Sequence, residues 1–305
     1  MVAAALLTIL ALVTFCGWYA YRTYQKLERI EVGAMLSPGS AGGTNYLIVG
    51  TDTREGLDAG MENADVVLGD GVSGTRSDTV MLLRMTDQGN LMLPIPRDLY
   101  VPIAGTDKTN RINTAIQGGE ARLIETVQQS LGLPVHHYVE VDFAGFLELV
   151  DAIGGVEIEF DAPAFDDHSG LVVEHAGWQT LDKDQALAFV RSRYYTRVVD
   201  GKNVVDGRGD LGRIERQQIF LRSVMSQAGE SRNPFTVARI ANSVASNLRV
   251  DDKLGFFDSV GLARKLSGLD PETVELPTKP IRTSGGAAVL VLEEAGADEA
   301  LARFR

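Results

Sequence analysis

The chain has 305 residues, of which 45% are hydrophobic and 23% charged, so it can bury the core of one large domain or two small ones. Its formal net charge of -12 argues against a general affinity for nucleic acid, which needs a basic surface. The charge does not exclude local binding of a polyanion, because a tight arginine cluster can reverse the potential inside one cleft.

An uncharged apolar stretch, Val2–Ala20, comes first and leads directly into a tyrosine-rich segment. About 20 apolar residues span a bilayer as a helix, and aromatic side chains favour the bilayer interface. A cleaved signal peptide is the competing interpretation, but a basic start and a clean small-residue cleavage site are missing. Cys16, the single cysteine, lies in this stretch, so disulfides and a cysteine metal site are excluded elsewhere. We expect an uncleaved transmembrane anchor at residues 1–21.

The sequence gives conflicting signals about which side of the membrane holds the rest of the chain. Arg22, Lys26 and Arg29 follow the apolar stretch, and the positive-inside rule alone would place that side in the cytoplasm. The chemistry described below favours the outside. The expected organisation is an anchor (1–21), a juxtamembrane helix at 21–36 and a linker up to 44, a catalytic domain (45–280) and a C-terminal tail (281–305).

Strand and helix patterns alternate along the remaining chain, which predicts a layered α/β domain. The predicted strands are 46–49, 79–85, 90–95, 138–141 and 156–160, with a hairpin turn at 86–90 and a terminal strand near 273–276. The predicted helices are 115–131 with an interruption at 118–119, 142–153 capped by Asp142, 182–190, 208–227, and two more within 234–266. The hairpin makes the expected sheet mixed rather than purely parallel.

Two polar segments flank a long interval between the first two predicted strands. Gly50–Arg54 follows one strand and Thr75–Thr79 precedes the next. Ligands of α/β sheets bind beyond the carboxyl ends of strands, so Asp52 and Asp78 are expected at one edge of the sheet. Two carboxylates with hydroxyl neighbours suit Mg²⁺, which prefers oxygen ligands and bridges phosphates. Taken alone, either segment is better explained as a turn or a loop cap.

A third polar segment leaves the predicted strand 90–95 through two prolines. Pro94 and Pro96 end the strand pairing and stiffen the exit, which would aim Arg97 and Asp98 in a fixed direction. A surface Arg–Asp pair contributing about 0–1 kcal/mol is the alternative. A rigid exit would be unnecessary for such a pair.

The largest basic cluster lies at the end of one predicted helix and the start of the next. Arg191 and Arg193 are two residues apart, so an extended chain would put both on one side. Asp210, Arg213 and Gln217 share one face of the following helix because they are spaced by three and four residues. Planar guanidinium groups bind two phosphate oxygens at once and stay charged.

The alternative explanation of this cluster is an exposed helix face with internal salt bridges. Most single runs of charged residues form such a face. The interval 194–207 is polar and contains glycine, which predicts a flexible loop. Together, the four segments supply carboxylates for a metal and arginines for phosphate, as phosphoryl transfer requires.

The sequence lacks the motifs of several other enzyme classes. It contains no Gly-x-x-x-x-Gly-Lys-Ser/Thr phosphate loop and no Gly-x-Ser-x-Gly nucleophile elbow. The four histidines do not have the spacing of zinc ligands. These observations argue against nucleotide hydrolysis by a phosphate loop, serine hydrolysis and zinc chemistry.

From about Asn45 to Gln227 the chain resembles the LytR-CpsA-Psr (LCP) family of cell-wall glycopolymer ligases. The resemblance rests on seven segments in the family's order: Leu47–Asp52, Arg76–Thr79, Ile95–Asp98, Lys108–Asn113, Val150–Val156, Ala188–Arg193 and Gly209–Gln217. Seven ordered segments are far more specific than one motif. Residues 228–305 contribute no motif to it.

The resemblance implies an α/β fold, three-layer α/β/α with a central mixed sheet, preceded by one N-terminal transmembrane helix. It also implies a hydrophobic groove for a polyprenyl tail. By the same analogy, Asp52 and Asp78 would hold Mg²⁺ or Mn²⁺, while Asp98 and Asp210 would orient arginines or act as the base. The residues implied in diphosphate binding are Arg76, Arg97, Arg191, Arg193, Arg213 and Gln217, with Arg97 also implied in catalysis.

The expected activity is Mg²⁺-dependent transfer of a glycopolymer from a polyprenyl diphosphate carrier to a peptidoglycan hydroxyl, which forms a phosphodiester. The expected location is the cell membrane, with a single span and an extracytoplasmic catalytic domain. No nucleic-acid partner is expected. Two alternatives stay open. One is a polyprenyl diphosphate phosphatase that uses water as acceptor, and the other is a non-catalytic module that binds lipid intermediates and regulates the envelope.

Overall fold

The computed structural model of the chain describes residues 14, 17–39, 42–51, 77–230, 234–266 and 271–305. The strands are β1 (Glu28–Ile30), β2 (Thr44–Thr51), β3 (Ser77–Met85), β4 (Asn90–Ile95), β5 (Tyr100–Pro102), β6 (Thr109–Arg111), β7 (His137–Val141), β8 (Val156–Phe160), β9 (Ala164–Asp166), β10 (Leu171–Val173), β11 (Gly177–Leu181), β12 (Thr196–Val199), β13 (Lys202–Val205), β14 (Leu248–Asp251), β15 (Glu272–Thr273), β16 (Thr278–Arg282) and β17 (Ala288–Leu292). The helices are α1 (Glu120–Leu131), α2 (Phe143–Ile153), α3 (Lys183–Arg191), α4 (Asp210–Glu230), α5 (Pro234–Asn247), α6 (Phe256–Leu266) and α7 (Glu294–Ala302). A 3₁₀ helix, Ile112–Gly118, precedes α1, and residues 17–24 are helical.

A seven-stranded sheet with the order β1-β14-β7-β2-β3-β4-β15 forms the centre of the fold. Strands β2, β3 and β4 pair antiparallel, whereas β2 pairs parallel with β7. The sheet is therefore mixed, as the 79–95 hairpin predicted. β2 joins the hairpin to the strands that come later in the chain, so its carboxyl end lies near the middle of the sheet.

Both faces of the central sheet are buried, which explains why β2 is apolar at four successive positions, Tyr46 to Val49. Leu47 and Val49 pack on one face with side chains of α1 and α7. Tyr46 belongs to a cluster on the other face, where Leu221 of α4 and Leu262 of α6 pack against it. Side chains alternate along a strand, so neighbouring residues of β2 serve different helix layers.

A second apolar cluster lies under α2 and α3, beside the central sheet. It includes β8, which pairs with β11, and β9 and β10, which belong to a four-stranded sheet of order β10-β9-β12-β13. The predicted cap of α2 is confirmed: the Asp142 carboxylate accepts a hydrogen bond of 2.8 Å from the Gly145 N–H. These elements place the start of α2 and the end of α3 close to the first turns of α4.

Two local predictions are wrong. Helical structure ends at residue 24, and β1 then adds to the central sheet by parallel pairing with β14, so the helix expected at 21–36 stops early. The interval 194–207, expected as a flexible loop, contains the β12–β13 hairpin. Asp200 and Gly201 have φ values of 50° and 70° at the tip, the left-handed conformation that a tight hairpin turn needs.

Residues 281–305, expected as a tail, form the end of β16, β17 and α7, and Ala297, Ala300, Leu301 and Phe304 belong to the main core. The Phe304 side chain is fully buried. Its carbonyl oxygen accepts hydrogen bonds from the Asn45 amide at 2.7 Å and the Arg84 guanidinium at 3.0 Å. The last turn of the chain is thus tied to the start of β2 and to β3 by buried polar contacts.

Most of the predicted anchor lies outside the described residues, which include only residue 14 and residues 17–21 of it. Across the part of the chain that the structure describes, we find no helix with the length and apolarity that crossing a bilayer requires. The anchor therefore stays a prediction from sequence.

Phe304→Ala should lower the free energy of unfolding by about 3–5 kcal/mol, because it empties a fully enclosed site in the core. Arg303→Ala is the matched control, since Arg303 is exposed and its ion pair with Glu272 contributes little. Chemical denaturation of both variants and the wild type measures the difference. Equal midpoints for the two variants would contradict the role of residue 304 in the core.

Candidate functional site

An apolar cavity of about 150 Å³ lies between the central sheet and the helices α2, α3 and α4. Its apolar lining consists of Ile48, Met81, Val141, Phe146, Leu187, Val190, Phe220 and Leu221. Polar groups border it at the ends of β2 and α3 and along the first turns of α4. A cavity of this composition suits an alkyl or isoprenoid chain.

Basic side chains converge on this cavity from separate parts of the chain. Arg191, the last residue of α3, lines it together with Arg213 and Gln217 of α4. A smaller adjoining cavity is lined by Arg97, Arg213 and Gln217. Arg213 is therefore shared by both cavities, with Arg97 and Arg191 beside it. The spacing of four residues put Arg213 and Gln217 on one face of the helix, as predicted.

The surroundings of these guanidinium groups strengthen their attraction for an anion. Arg213 is only 2% exposed, and apolar side chains form most of the wall beside it. Electrostatic interactions are stronger where water is excluded, so a phosphate at this position would be held more firmly than on the surface. These arginines converge in a chain whose net charge is -12.

Asp98 lies next to Arg97 but faces a different, polar cavity of about 450 Å³. Its carboxylate is 3.1 Å from the Nε of Arg111 and 3.6 Å from the Nε of Arg97. A carboxylate between two guanidinium groups fixes their directions. Of the two roles implied for Asp98, orienting an arginine fits this geometry directly.

The turn after α3 is held by Asp166, a residue that the sequence did not single out. Asp166 is 1% exposed. Its carboxylate accepts the Ser192 hydroxyl at 2.6 Å and the N–H groups of Arg193 and Tyr194 at 3.0 and 2.9 Å. It also accepts the N–H of His168 at 2.9 Å. A charged acceptor bound by four donors fixes the backbone that follows Arg191.

These hydrogen bonds change the acidity of Asp166. Burial alone would raise the pKa of its carboxyl group, but the hydrogen bonds from Ser192, Tyr194, His168 and Arg193 outweigh burial and lower the pKa. Asp166 therefore stays ionised at neutral pH in spite of its burial. The sequence offered little to distinguish it from its neighbour Asp167.

Arg216 holds the same turn from the other side. Its guanidinium donates to the Ser192 carbonyl at 2.7 Å, lies 3.2 Å from the Asp206 carboxylate and stacks on the Tyr195 ring at 4.8 Å. One helical position later, the Gln217 amide donates to the Val190 carbonyl at 3.3 Å. The end of α3 is thus bound directly to α4, which carries Arg213.

The remaining predicted site residues are placed only in part. Asp52 and Arg76 lie outside the described residues, and for Asp78 and Asp210 the structure describes the backbone. Arg193 follows Ser192 and is half-buried, but it is not part of the lining of either cavity. The structure therefore brings together Arg97, Arg191, Arg213 and Gln217, and their role in binding a diphosphate stays a prediction.

The backbone around Asp78 has a distinctive register. Gly50 pairs with Thr79, whereas Thr51 pairs with Ser77, so Asp78 is the extra residue of a β-bulge next to the end of β2. Bulges redirect side chains and are frequent beside active sites. Among the described residues, we find no cluster of three or more histidine, cysteine or acidic side chains that could hold a metal. The predicted pair of Asp52 and Asp78 is not tested by this finding.

Replacing Asp166 by asparagine should remove a pH-dependent part of the stability. The wild-type carboxylate contributes fully above the pKa of an unfolded aspartate, about 4, and its contribution is lost as the pH falls through the lowered folded-state pKa. The stability difference between wild type and Asp166→Asn should therefore shrink as the pH falls from 6 to below 3. Asp167→Asn is the control. Denaturation at a series of pH values measures this, and a difference that is independent of pH would contradict the assignment.

Comparison with known proteins gives a consistent result. The model of the LytR_cpsA_psr family matches residues 19–303, so the match continues through the C-terminal region where the sequence showed no motif. A "Probable cell wall biosynthesis protein LcpB" of Corynebacterium glutamicum is 33% identical over 289 residues, which cover 92% of this chain and 65% of that protein. A "Polyisoprenyl-teichoic acid--peptidoglycan teichoic acid transferase TagU" of Halalkalibacterium halodurans is 32% identical over 69% of this chain and 61% of its own length. The chain thus spans less than two thirds of the length of these two relatives.

Solved structures share the fold. A "LytR-Csp2A-Psr enzyme from Actinomyces oris" superimposes with a TM-score of 0.72 and 25% identity, covering 91% of this chain and 96% of that one. "TagT bound to LIIa-WTA" superimposes with a TM-score of 0.65 at 23% identity, over 91% of this chain and 96% of that one, a likeness that concerns the fold. The central mixed sheet is common to these structures and to the one described above.

Proposed function

The chain belongs to the LytR-CpsA-Psr family, and on that premise we propose that it transfers a glycopolymer from a polyprenyl diphosphate carrier to a peptidoglycan hydroxyl. The names of its relatives, a cell wall biosynthesis protein and teichoic acid transferases, support this class of reaction. The phosphatase and the non-catalytic regulator remain outcomes of the tests below. Family membership also supports an N-terminal membrane anchor with the catalytic domain outside, where peptidoglycan is found.

The observation that carries the proposal is the convergence of Arg191 and Arg213 on an apolar cavity, with Arg97 in the adjoining cavity that Arg213 also lines. A polyprenyl diphosphate has the matching chemistry, an apolar tail joined to adjacent phosphates. The cavity would take the start of the tail, and the guanidinium groups would bind phosphate oxygens in pairs. A surface cluster of arginines would provide the charge without a place for the lipid.

The proposed reaction is an in-line displacement at phosphorus. The acceptor hydroxyl oxygen attacks the phosphorus nearest the glycan, the bond between that phosphorus and the bridging oxygen breaks, and polyprenyl phosphate leaves. The hydroxyl proton passes to a carboxylate, for which Asp98 and Asp210 are the candidates. Arg97, Arg191 and Arg213 stabilise the negative charge that develops on the phosphate oxygens. The product is a phosphodiester between glycopolymer and wall.

Asp52 and Asp78 are the proposed ligands of Mg²⁺ or Mn²⁺, with oxygen donors of the type that these ions prefer. Such an ion would neutralise part of the diphosphate charge. The bulge at Asp78, opposite the strand end that leads to Asp52, supports this choice of ligands.

Arg97→Ala and Arg213→Ala should each lower the transfer rate by about 10²–10³-fold, because each removes a donor to charge that develops during the reaction. Arg197→Ala is the control, since Arg197 forms a partly exposed ion pair with Asp161 away from both cavities. Transfer of a radiolabelled glycopolymer to peptidoglycan measures the effect, with circular dichroism to check folding. Normal transfer by both folded variants would exclude the proposed site.

Removal of divalent metal should abolish transfer, and added Mg²⁺ or Mn²⁺ should restore it. Asp78→Asn should raise the metal concentration that gives half the maximal rate, whereas Asp87→Asn, at the exposed hairpin turn, should not. Assays with and without peptidoglycan separate the alternatives. Release of free glycan phosphate without acceptor would indicate a phosphatase, and tight lipid binding without product in any metal would indicate a regulator.

A further inference from the structure

An aromatic patch lies on the outside of the molecule where α6 begins. We define it as Trp18, Tyr21, Phe256 and Phe257. Phe257 is 85% exposed, the highest value among the exposed large apolar side chains of the described residues. The Phe256 ring contacts Phe257 at 5.3 Å and Tyr21 at 5.7 Å between centroids. Two segments that are far apart in sequence thus form one aromatic surface.

The N-terminal segment of this patch is attached to the domain by side-chain hydrogen bonds. The Tyr24 hydroxyl donates to the Leu254 carbonyl at 3.2 Å, and the Tyr19 hydroxyl donates to the Ala238 carbonyl at 3.4 Å. Lys26 donates to the Asn242 side chain. The chain that directly follows the apolar stretch is therefore fixed against the region around α5 and α6.

We propose that the aromatic patch lies in the headgroup region of a lipid bilayer, the same bilayer that the apolar stretch Val2–Ala20 would enter. The proposal rests on the membrane anchorage proposed above. Trp18 belongs to both the patch and the uncharged stretch, so the two are continuous in the chain. Aromatic side chains favour the bilayer interface, and a phenylalanine as exposed as Phe257 gains by leaving water.

The charges around the patch indicate which lipids it needs. Arg22 lies over the Trp18 ring at 5.7 Å, a position suited to phosphate groups of lipids. Asp258 directly follows Phe257 in the first turn of α6, and Asp252 lies in the preceding turn. Because basic and acidic groups are mixed around the patch, attraction to anionic lipid is not the main cause of its contact with the bilayer. Apolar insertion should therefore occur with zwitterionic lipid as well.

The patch is connected to the candidate site through packed side chains. Leu254 and Leu262, before and within α6, belong to the same apolar cluster as Met81 and Leu221. Met81 and Leu221 also line the apolar cavity. Contact of α6 with the bilayer would hold this side of the cavity close to the membrane, where a polyprenyl carrier resides.

Tryptophan fluorescence in nanodiscs of brominated phosphatidylcholine tests the proposal on the full chain. Bromine on the acyl chains quenches only tryptophans at the bilayer. Phe257→Trp places a probe in the patch, and Val205→Trp places one on the exposed β12–β13 hairpin as the matched control. Subtracting the wild-type emission, which comes from Trp18 and Trp178, isolates each probe. Trp18→Phe reports the quenching of Trp18 in the same way.

We expect the probe at residue 257 to lose a fraction of its emission comparable with that lost by Trp18, and the probe at 205 to lose almost none. Quenching at 18 without quenching at 257, or equal quenching at 257 and 205, would overturn the aromatic contact and leave the anchor standing. No quenching at 18 and 257 would overturn both. Glycopolymer transfer, assayed separately, can fail while the 257 probe is quenched, so the two proposals are tested independently.

Discussion

The end of α3 is held from two sides by buried polar side chains, and the candidate site depends on this constraint. Asp166 accepts the Ser192 hydroxyl and the following N–H groups, while Arg216 donates to the Ser192 carbonyl. A buried carboxylate and a buried guanidinium are costly to place unless each is satisfied by such partners. Because both groups form hydrogen bonds with Ser192, they restrain the backbone at the end of α3, next to Arg191, which lines the cavity.

The same helices combine two requirements that usually conflict, an apolar lining and concentrated positive charge. Helix α4 supplies Phe220 and Leu221 to the cavity and, within the preceding turns, Arg213 and Gln217. The helix period of 3.6 residues places these side chains along one face in sequence order, so charge and apolarity follow each other along the axis. A ligand with a charged head and an apolar tail would be aligned by this order before any reaction.

Local patterns predicted much of the fold, because they report interactions between neighbours in sequence. The hairpin of β3 and β4, the Asp142 cap and the shared face of Arg213 and Gln217 are of this kind. Asp166 was missed because its partners at the end of α3 lie 26 to 28 residues away. The β12–β13 hairpin had a local signal in its Asp-Gly turn, but the polar composition of the interval 194–207 favoured a flexible loop.

The contact of the Phe304 carbonyl with Asn45 has a consequence for how the chain reaches its folded state. These residues are separated by 259 positions, so β2 meets this buried hydrogen-bond acceptor only after α7 has been made. Until then, the Asn45 amide and the Arg84 guanidinium at that edge of the sheet lack this acceptor. Completion of the core must therefore come after residue 304 has been synthesised, and contacts of such long range form slowly.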